Sequence, residues 1–224
     1  MAECNGRVES IYCGSGVDGK GLRVVVFFGG CNLRCPFCHN PETLYRPCAE
    51  TNASAVVARC LRYRGYIRRG GVTLSGGEPF FQPEFALAIM RGLKREGINV
   101  AVETNGYIVN REIIGVADSF IVDVKNQISD DLSPYEKFLS ECDRAGKEVC
   151  LTNVLVPGVN DGKAKIAALK EIKKSHPCVC GFKFLPFHKM CERKYAQLGI
   201  VFPFARHREA ELGDVVRAEE TFNA

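Results

Sequence analysis

The stretch GGCNLRCPFCHNPET, residues 29–43, sets Cys31, Cys35 and Cys38 at a C-x3-C-x2-C spacing. Cysteine thiolates hold iron–sulfur clusters through Fe–S bonds, and a cluster used for electron transfer alone is usually closed by four of them. Three thiolates in one short loop leave one iron without a protein ligand, open to a small molecule. Pro36 limits the backbone between the second and third cysteines, and Phe37 adds an apolar wall. The competing reading is a non-catalytic Cys3His zinc module with His39 as fourth ligand. Cys38 and His39 are adjacent, so their side chains diverge, and zinc folds usually bring their ligands as two separated pairs. The spacing therefore favours a cluster.

Outward from this loop, six runs read as strands: Leu22–Phe28, Val72–Ser75, Ile98–Glu103, Ser119–Val124, Val149–Val156 and Gly181–Leu185. Helical segments alternate with them, which predicts a parallel sheet. Ala53, Val56, Val57, Cys60 and Leu61 share one helical face, and Phe85, Ile89 and Leu93 another. Ser133 and Pro134 start a helix carrying Phe138, Leu139 and Cys142, while Gly97 and Gly146 stand where helix C-caps belong. The expected fold is α/β: a partial (β/α)6 TIM-like barrel, two units short of closure, in a single domain over residues 1–224.

In such architectures function gathers at the C-terminal ends of the strands, and the distinctive clusters of this chain fall there. They are the cysteine loop, Ser75-Gly76-Gly77-Glu78-Pro79, Glu103-Thr104-Asn105-Gly106, Asp123-Val124-Lys125, Val156-Pro157-Gly158 and Leu185-Pro186-Phe187-His188. Paired glycines let backbone approach a ligand closely. Glu103, Thr104 and Asp123 place two carboxylates and a hydroxyl at neighbouring strand ends, with Lys125 on the same face as Asp123. That set suits either a hard cation or the zwitterionic end of a ligand.

Composition narrows the classes. With 46% hydrophobic and 25% charged residues the chain is ordinary for a globular protein, and its charge of +4 is too small to argue for nucleic acid. No apolar run approaches the roughly 20 residues that span a bilayer, and MAECNGRVES lacks the apolar stretch of a secretory signal. A cytoplasmic location without membrane attachment is expected, where the twelve cysteines stay reduced. Cys60, Cys142 and Cys150 read as core, and the Cys178-x-Cys180 pair lacks neighbours that would complete a metal set. Arg59, Arg62, Arg64, Arg68 and Arg69 read as a solvated face.

The open cysteine triad after a strand resembles the radical S-adenosylmethionine (SAM) enzymes. The segments GSGVDGKGLRVVVFFGGCNLRCPFCHNPET, TLSGGEPFFQPEF, VETNG, DVKN, VLVPGVND and LPFHKMCERKYAQLG together resemble the glycyl-radical-enzyme activating enzymes. The resemblance is to the short, pyruvate formate-lyase-activating type. The ferredoxin-like insert of other members carries eight cysteines between the cluster loop and GGE, and here only Cys48 and Cys60 lie in that interval.

The resemblance implies the radical SAM type of barrel, one 4Fe-4S cluster on Cys31, Cys35 and Cys38, and SAM as cofactor. It implies reductive cleavage of SAM to a 5′-deoxyadenosyl radical that takes a Cα hydrogen from a glycine of a partner glycyl radical enzyme. It places Phe37, His39, Val154 and Leu185 beside the adenosyl group, Gly76, Gly77 and Glu78 at the methionine ammonium, and Lys125 and His188 at carboxylate or ribose. A monovalent cation, sodium or potassium, would sit on Glu103, Thr104, Asp123 and the backbone of Ile121. Asp18 would help seat the glycine-bearing peptide. A flavodoxin or ferredoxin electron donor and a monomeric state complete the expectation. The alternative within the superfamily is an enzyme modifying a small molecule or RNA.

Three positions depart from the family pattern. Thr152 stands where an arginine is frequent, Lys20 replaces a proline, and Cys191 replaces a glycine near the expected position of peptide or cofactor.

Overall fold

The computed structural model describes residues 4–224. They divide into two compact units. The first comprises the chain up to Leu33, Glu42–Thr104 and Ile108–Ile121; the second comprises Arg34–Pro41, Asn105–Tyr107 and Val122–Ala224.

The first unit runs β1 (Asn5–Ser15), β2 (Arg23–Phe28), α1 (Glu42–Tyr45), β3 (Glu50–Asn52), α2 (Ala53–Leu61), α3 (Arg64–Ile67), β4 (Gly71–Gly76), a 3-10 turn (Pro79–Phe81), α4 (Pro83–Arg95), β5 (Val100–Thr104) and α5 (Arg111–Val116). It also holds the first residues of β6 (Ser119–Asp123). Its strand order is β3-β1-β2-β4-β5-β6. β2, β4 and β5 pair in parallel, whereas β1 lies antiparallel to both β2 and β3. Val24, Val25 and Val26 are fully buried, as in a parallel strand covered on both faces.

Proline at its first turn starts α4, and Phe85, Ile89 and Leu93 of this helix are buried as the periodicity predicts. The five arginines of residues 59–69 are exposed. Arg23, in contrast, is buried and joins three segments. Its guanidinium donates to Thr73 Oγ1 (2.6 Å), Val72 O (2.7 Å) and Asn99 Oδ1 (3.0 Å). Burial lowers its pKa to about 10, against the nearby Asp118 and Asp18 carboxylates, so it stays charged at neutral pH.

The second unit holds α6 (Ser133–Arg144), β7 (Glu148–Leu155), α7 (Lys163–Ser175), β8 (Val179–Pro186), α8 (Glu192–Gln197) and α9 (Leu212–Asn223). β7 and β8 are parallel, with Thr152 level with Lys183 and Val154 with Leu185. Phe182 and Phe184 pack on Phe222 of α9, with ring centroids 4.4 and 5.7 Å away. Alternation then turns Lys183 and Leu185 to the opposite face of β8.

Three buried asparagines tie the turn after β6 to β7 and to the turn that follows it. Asn153 Nδ2 donates to Val124 O (2.6 Å) and Asn126 Oδ1 (2.9 Å), and Asn160 Nδ2 donates to Asn126 Oδ1 (3.0 Å) and Val154 O (3.0 Å).

The six expected strands are β2, β4, β5, β6, β7 and β8, each within two residues of its predicted bounds. The expectation of only six, all parallel, is corrected by β1 and β3. β1 mixes charged, glycine and apolar residues with uneven exposure, so it shows no apolar run; the ladder with β2 holds it in place. Cys191 is 2% exposed, packed with Phe37, Val156, Phe187, Tyr195, Phe202 and Ala210 in the core of the second unit. Cys60 and Cys142 are buried as expected, while Cys150 is half-buried. No helix among the described residues is long and apolar enough to cross a membrane.

Candidate active site

In the first unit, β2 delivers the chain through Gly29 and Gly30 to Cys31, whose sulfur accepts the Leu33 N–H at 3.4 Å. The glycine-rich turn after β4 is bonded to this same stretch. Gly77 N–H donates to Phe28 O (2.8 Å) and Glu78 N–H to Gly30 O (2.9 Å). The approach requires glycine twice. Gly76 has φ of +99°, and a Cβ on Gly77 would lie 1.9 Å from Gly30 O. Glu78 is buried, and its Oε1 accepts the Phe80 N–H (3.0 Å) and the Thr104 hydroxyl (2.8 Å). Glu103, one residue earlier on β5, accepts the Ser75 hydroxyl at 2.5 Å. Glu78, Glu103, Thr104 and the end of β4 thus form one oxygen-rich group, and Ile121 lies on β6 of this unit.

Asp18 sits elsewhere on the same sheet. Its carbonyl accepts the Thr73 hydroxyl (2.6 Å), and its carboxylate accepts the Ser15 hydroxyl. Thr73 and Ser75 share a face of β4, so the Asp18 loop lies toward the start of the strand from Ser75, about 7 Å along it.

The second unit carries Cys35, Phe37, Cys38 and His39 on one turn, in which Cys38 N–H donates to Cys35 O (3.1 Å). Burial pushes the Cys35 thiol above its ordinary range, against the pull of the Lys125 ammonium. Phe37 is buried, and Lys125 Nζ lies 5.3 Å from its ring centroid, within cation–π range. Lys125 also pairs with Asp123. Burial alone would lower the lysine's pKa, but Asp123 and the two thiols override it and hold the ammonium above its ordinary value. Among the described residues, Asp123 Oδ1 is buried without a hydrogen-bond partner.

His39 Nε2 lies 2.9 Å from His188 O, and burial lowers the imidazole's pKa. Val154 and Leu185 are level on β7 and β8, with Leu185 39% exposed.

Two features escape sequence reasoning. Lys194 Nζ on α8 donates to His39 O (2.9 Å) and Asn40 Oδ1 (3.1 Å), anchoring the cysteine turn from 154 residues away. Gly30, read as part of a loop, is the acceptor that seats the GGE turn. The Cys178 and Cys180 thiols donate to Leu139 O and Val149 O, and among the described residues no three or more His, Cys, Asp or Glu side chains are grouped so as to hold a metal ion.

The donor chemistry fits a cluster and an amino-acid-bearing cofactor. Three thiols follow a strand that ends at glycines, a backbone turn is too tight for any Cβ, and a buried carboxylate oxygen lacks a partner. Residues 17–131 match the family model described as a 4Fe-4S single cluster domain. Among solved structures, the fold is similar to a radical SAM methyltransferase from Sphaerobacter thermophilus. The TM-score is 0.61 at 19% identity, over 90% of this chain and 63% of that one. Fold and cysteine loop together define a radical SAM enzyme with an α/β partial (β/α)6 barrel.

Sequence comparison narrows the class. The chain is 36% identical over 208 residues to the pyruvate formate-lyase-activating enzyme of Clostridium pasteurianum, covering 87% of each. It is 34% identical over 220 residues to that of Streptococcus mutans, covering 88% of this chain and 83% of the relative. The chain belongs to the pyruvate formate-lyase-activating enzyme family.

Proposed function

We propose that this protein activates a glycyl radical enzyme of the pyruvate formate-lyase type by removing a Cα hydrogen from one glycine of that partner. The observation that carries the reading is the Cys31, Cys35, Cys38 loop on β2 within a chain that matches activating enzymes over most of its length. A reduced 4Fe-4S cluster held there would supply the electron for reductive cleavage of SAM; the protein's work is to bind, orient and shield.

Cys31, Cys35 and Cys38 hold the cluster. The backbone of Gly76 and Gly77, with Glu78, receives the methionine ammonium, and Phe37, His39, Val154 and Leu185 line the adenosyl group. Lys125 and His188 serve carboxylate or ribose. Glu103, Thr104, Asp123 and the Ile121 carbonyl hold a monovalent cation, sodium or potassium. The unpartnered Asp123 Oδ1 supports that assignment, because a buried carboxylate oxygen left unpaired is costly. Asp18 positions the glycine-bearing peptide. The enzyme works as one catalytic domain and as a monomer in the cytoplasm, taking electrons from a flavodoxin or ferredoxin.

The test is anaerobic. Reconstituted protein is mixed with reductant, SAM and its cognate glycyl radical enzyme, and a glycine-centred radical is sought by electron paramagnetic resonance. Absence of that signal with every candidate partner, despite SAM cleavage, would move the reading to small-molecule or RNA chemistry.

A further inference from the structure

Lys183 lies on the face of β8 turned away from α9, level with Thr152 on β7. It is exposed, and among the described residues no carboxylate pairs with it. Thr152 is 7% exposed, and its hydroxyl is buried without a hydrogen-bond partner among the described residues. The row continues onto β6. Val124 N–H donates to Thr152 O at 2.8 Å, which in a parallel ladder sets Asp123 opposite Thr152. Asp123, Thr152 and Lys183 therefore stand side by side on three strands, roughly 4.8 Å apart per step. The next level of the same face holds Lys125, Val154 and Leu185.

The charges along these two levels are uneven. Lys125 is neutralised by Asp123, whereas Lys183 has no counter-charge among the described residues. A buried hydroxyl left unpaired is costly, so the Thr152 position calls for a polar group to complete it. A carboxylate meets both demands, accepting from the ammonium and from the hydroxyl. Lys125, one level further along, already has Asp123 as its counter-charge and can serve the ribose.

We infer that Lys183, with Thr152 beside it, binds the carboxylate of the methionine part of SAM. This rests on the reading of the chain as a radical SAM activase. Lys183 is a binding residue on the last strand; the reacting bonds are left to the cluster loop.

The test uses reconstituted holoenzyme and two ligands, SAM and decarboxylated SAM, which keeps the sulfonium, amine and adenosine but lacks the carboxylate. Equilibrium binding of each is measured for wild type, Lys183→Met, Lys183→Arg and the pair Thr152→Arg with Lys183→Met. Lys183→Met is expected to weaken SAM binding about tenfold or more, the scale of a lost charged hydrogen bond, and to leave decarboxylated SAM unchanged. Lys183→Arg retains the preference for SAM. Thr152→Arg restores it in the Lys183→Met background, because it returns a cation to the same level.

Equal weakening of both ligands, or none, overturns the inference. So does a loss confined to binding of the glycine-bearing peptide, which assigns the lysine to the protein substrate. Wild-type protein that binds neither ligand overturns the activase reading itself, before any variant is compared.

Discussion

Replacing Gly77 by alanine tests whether the GGE turn is built by backbone contact with the cysteine loop. The added Cβ would lie 1.9 Å from Gly30 O and 2.7 Å from its carbonyl carbon. A carbon–oxygen contact is comfortable only from about 3.3 Å, so the two segments must part by roughly 1.4 Å. Neither side is a flexible side chain that can swing away. Parting breaks the bonds from Glu78 N–H to Gly30 O and from Gly77 N–H to Phe28 O. Each is worth about 1 kcal/mol, and residual overpacking adds about 1–3 kcal/mol, for a total of about 3–5 kcal/mol. In a chain of this length that lowers the melting temperature by about 10 °C. Gly115→Ala is the control, since a Cβ there meets nothing within 4 Å and alanine favours the helix. The assay is thermal unfolding of the two variants under anaerobic conditions, with SAM affinity measured alongside. Gly77→Ala that melts with Gly115→Ala and binds SAM as wild type does would refute the close-approach reasoning.

Four further outcomes are expected. Alanine at Cys31, Cys35 or Cys38 abolishes reductive SAM cleavage, while alanine at Cys142, Cys178 or Cys180 leaves iron and sulfide content at the wild-type level; iron loss in Cys178→Ala equal to that in Cys35→Ala would reverse the ligand assignment. Asp123→Ala, which removes both the Lys125 counter-charge and the unpartnered oxygen, weakens SAM binding about tenfold, and wild-type affinity rises with sodium or potassium; indifference to both ions counts against the cation site. Asp18→Ala lowers radical formation on the partner protein more than SAM cleavage in its absence, and equal losses would make Asp18 part of the cofactor site. Stability depends on pH through Asp143: burial would raise its carboxyl, but hydrogen bonds from His176 Nδ1 (2.7 Å) and Cys178 N–H (2.7 Å) hold it below its ordinary value. A depressed carboxyl stabilises above its unfolded pKa of about 3.9 and loses that contribution as pH falls through the folded value, so the deficit in urea midpoint of Asp143→Asn shrinks below pH 4; a constant deficit contradicts the linkage.

By itself the sequence determined what depends on neighbours along the chain. The cysteine spacing, the apolar strand runs, the helical faces of α2 and α4 and the proline start of α6 are local patterns, and the backbone follows them. Gly97 and Gly146 take φ of 70° and 62° at helix ends because their own lack of a Cβ permits it. The candidate clusters were legible for the same reason, each lying at or just past the C-terminal end of a strand.

Tertiary structure decided everything that turns on register between distant segments. β1 becomes a strand through its ladder with β2, since its own residues show no apolar run. Cys191 is core because α8 packs its start under Phe37 and Phe187, a contact no local pattern announces. Gly30 meets Gly77 at a sequence separation of 47, and Lys194 reaches His39 at one of 155. Lys183 faces Thr152 because of one bulge between β7 and β8. A shift of one residue there would turn the lysine toward α9, since side chains alternate with a period of two along a strand.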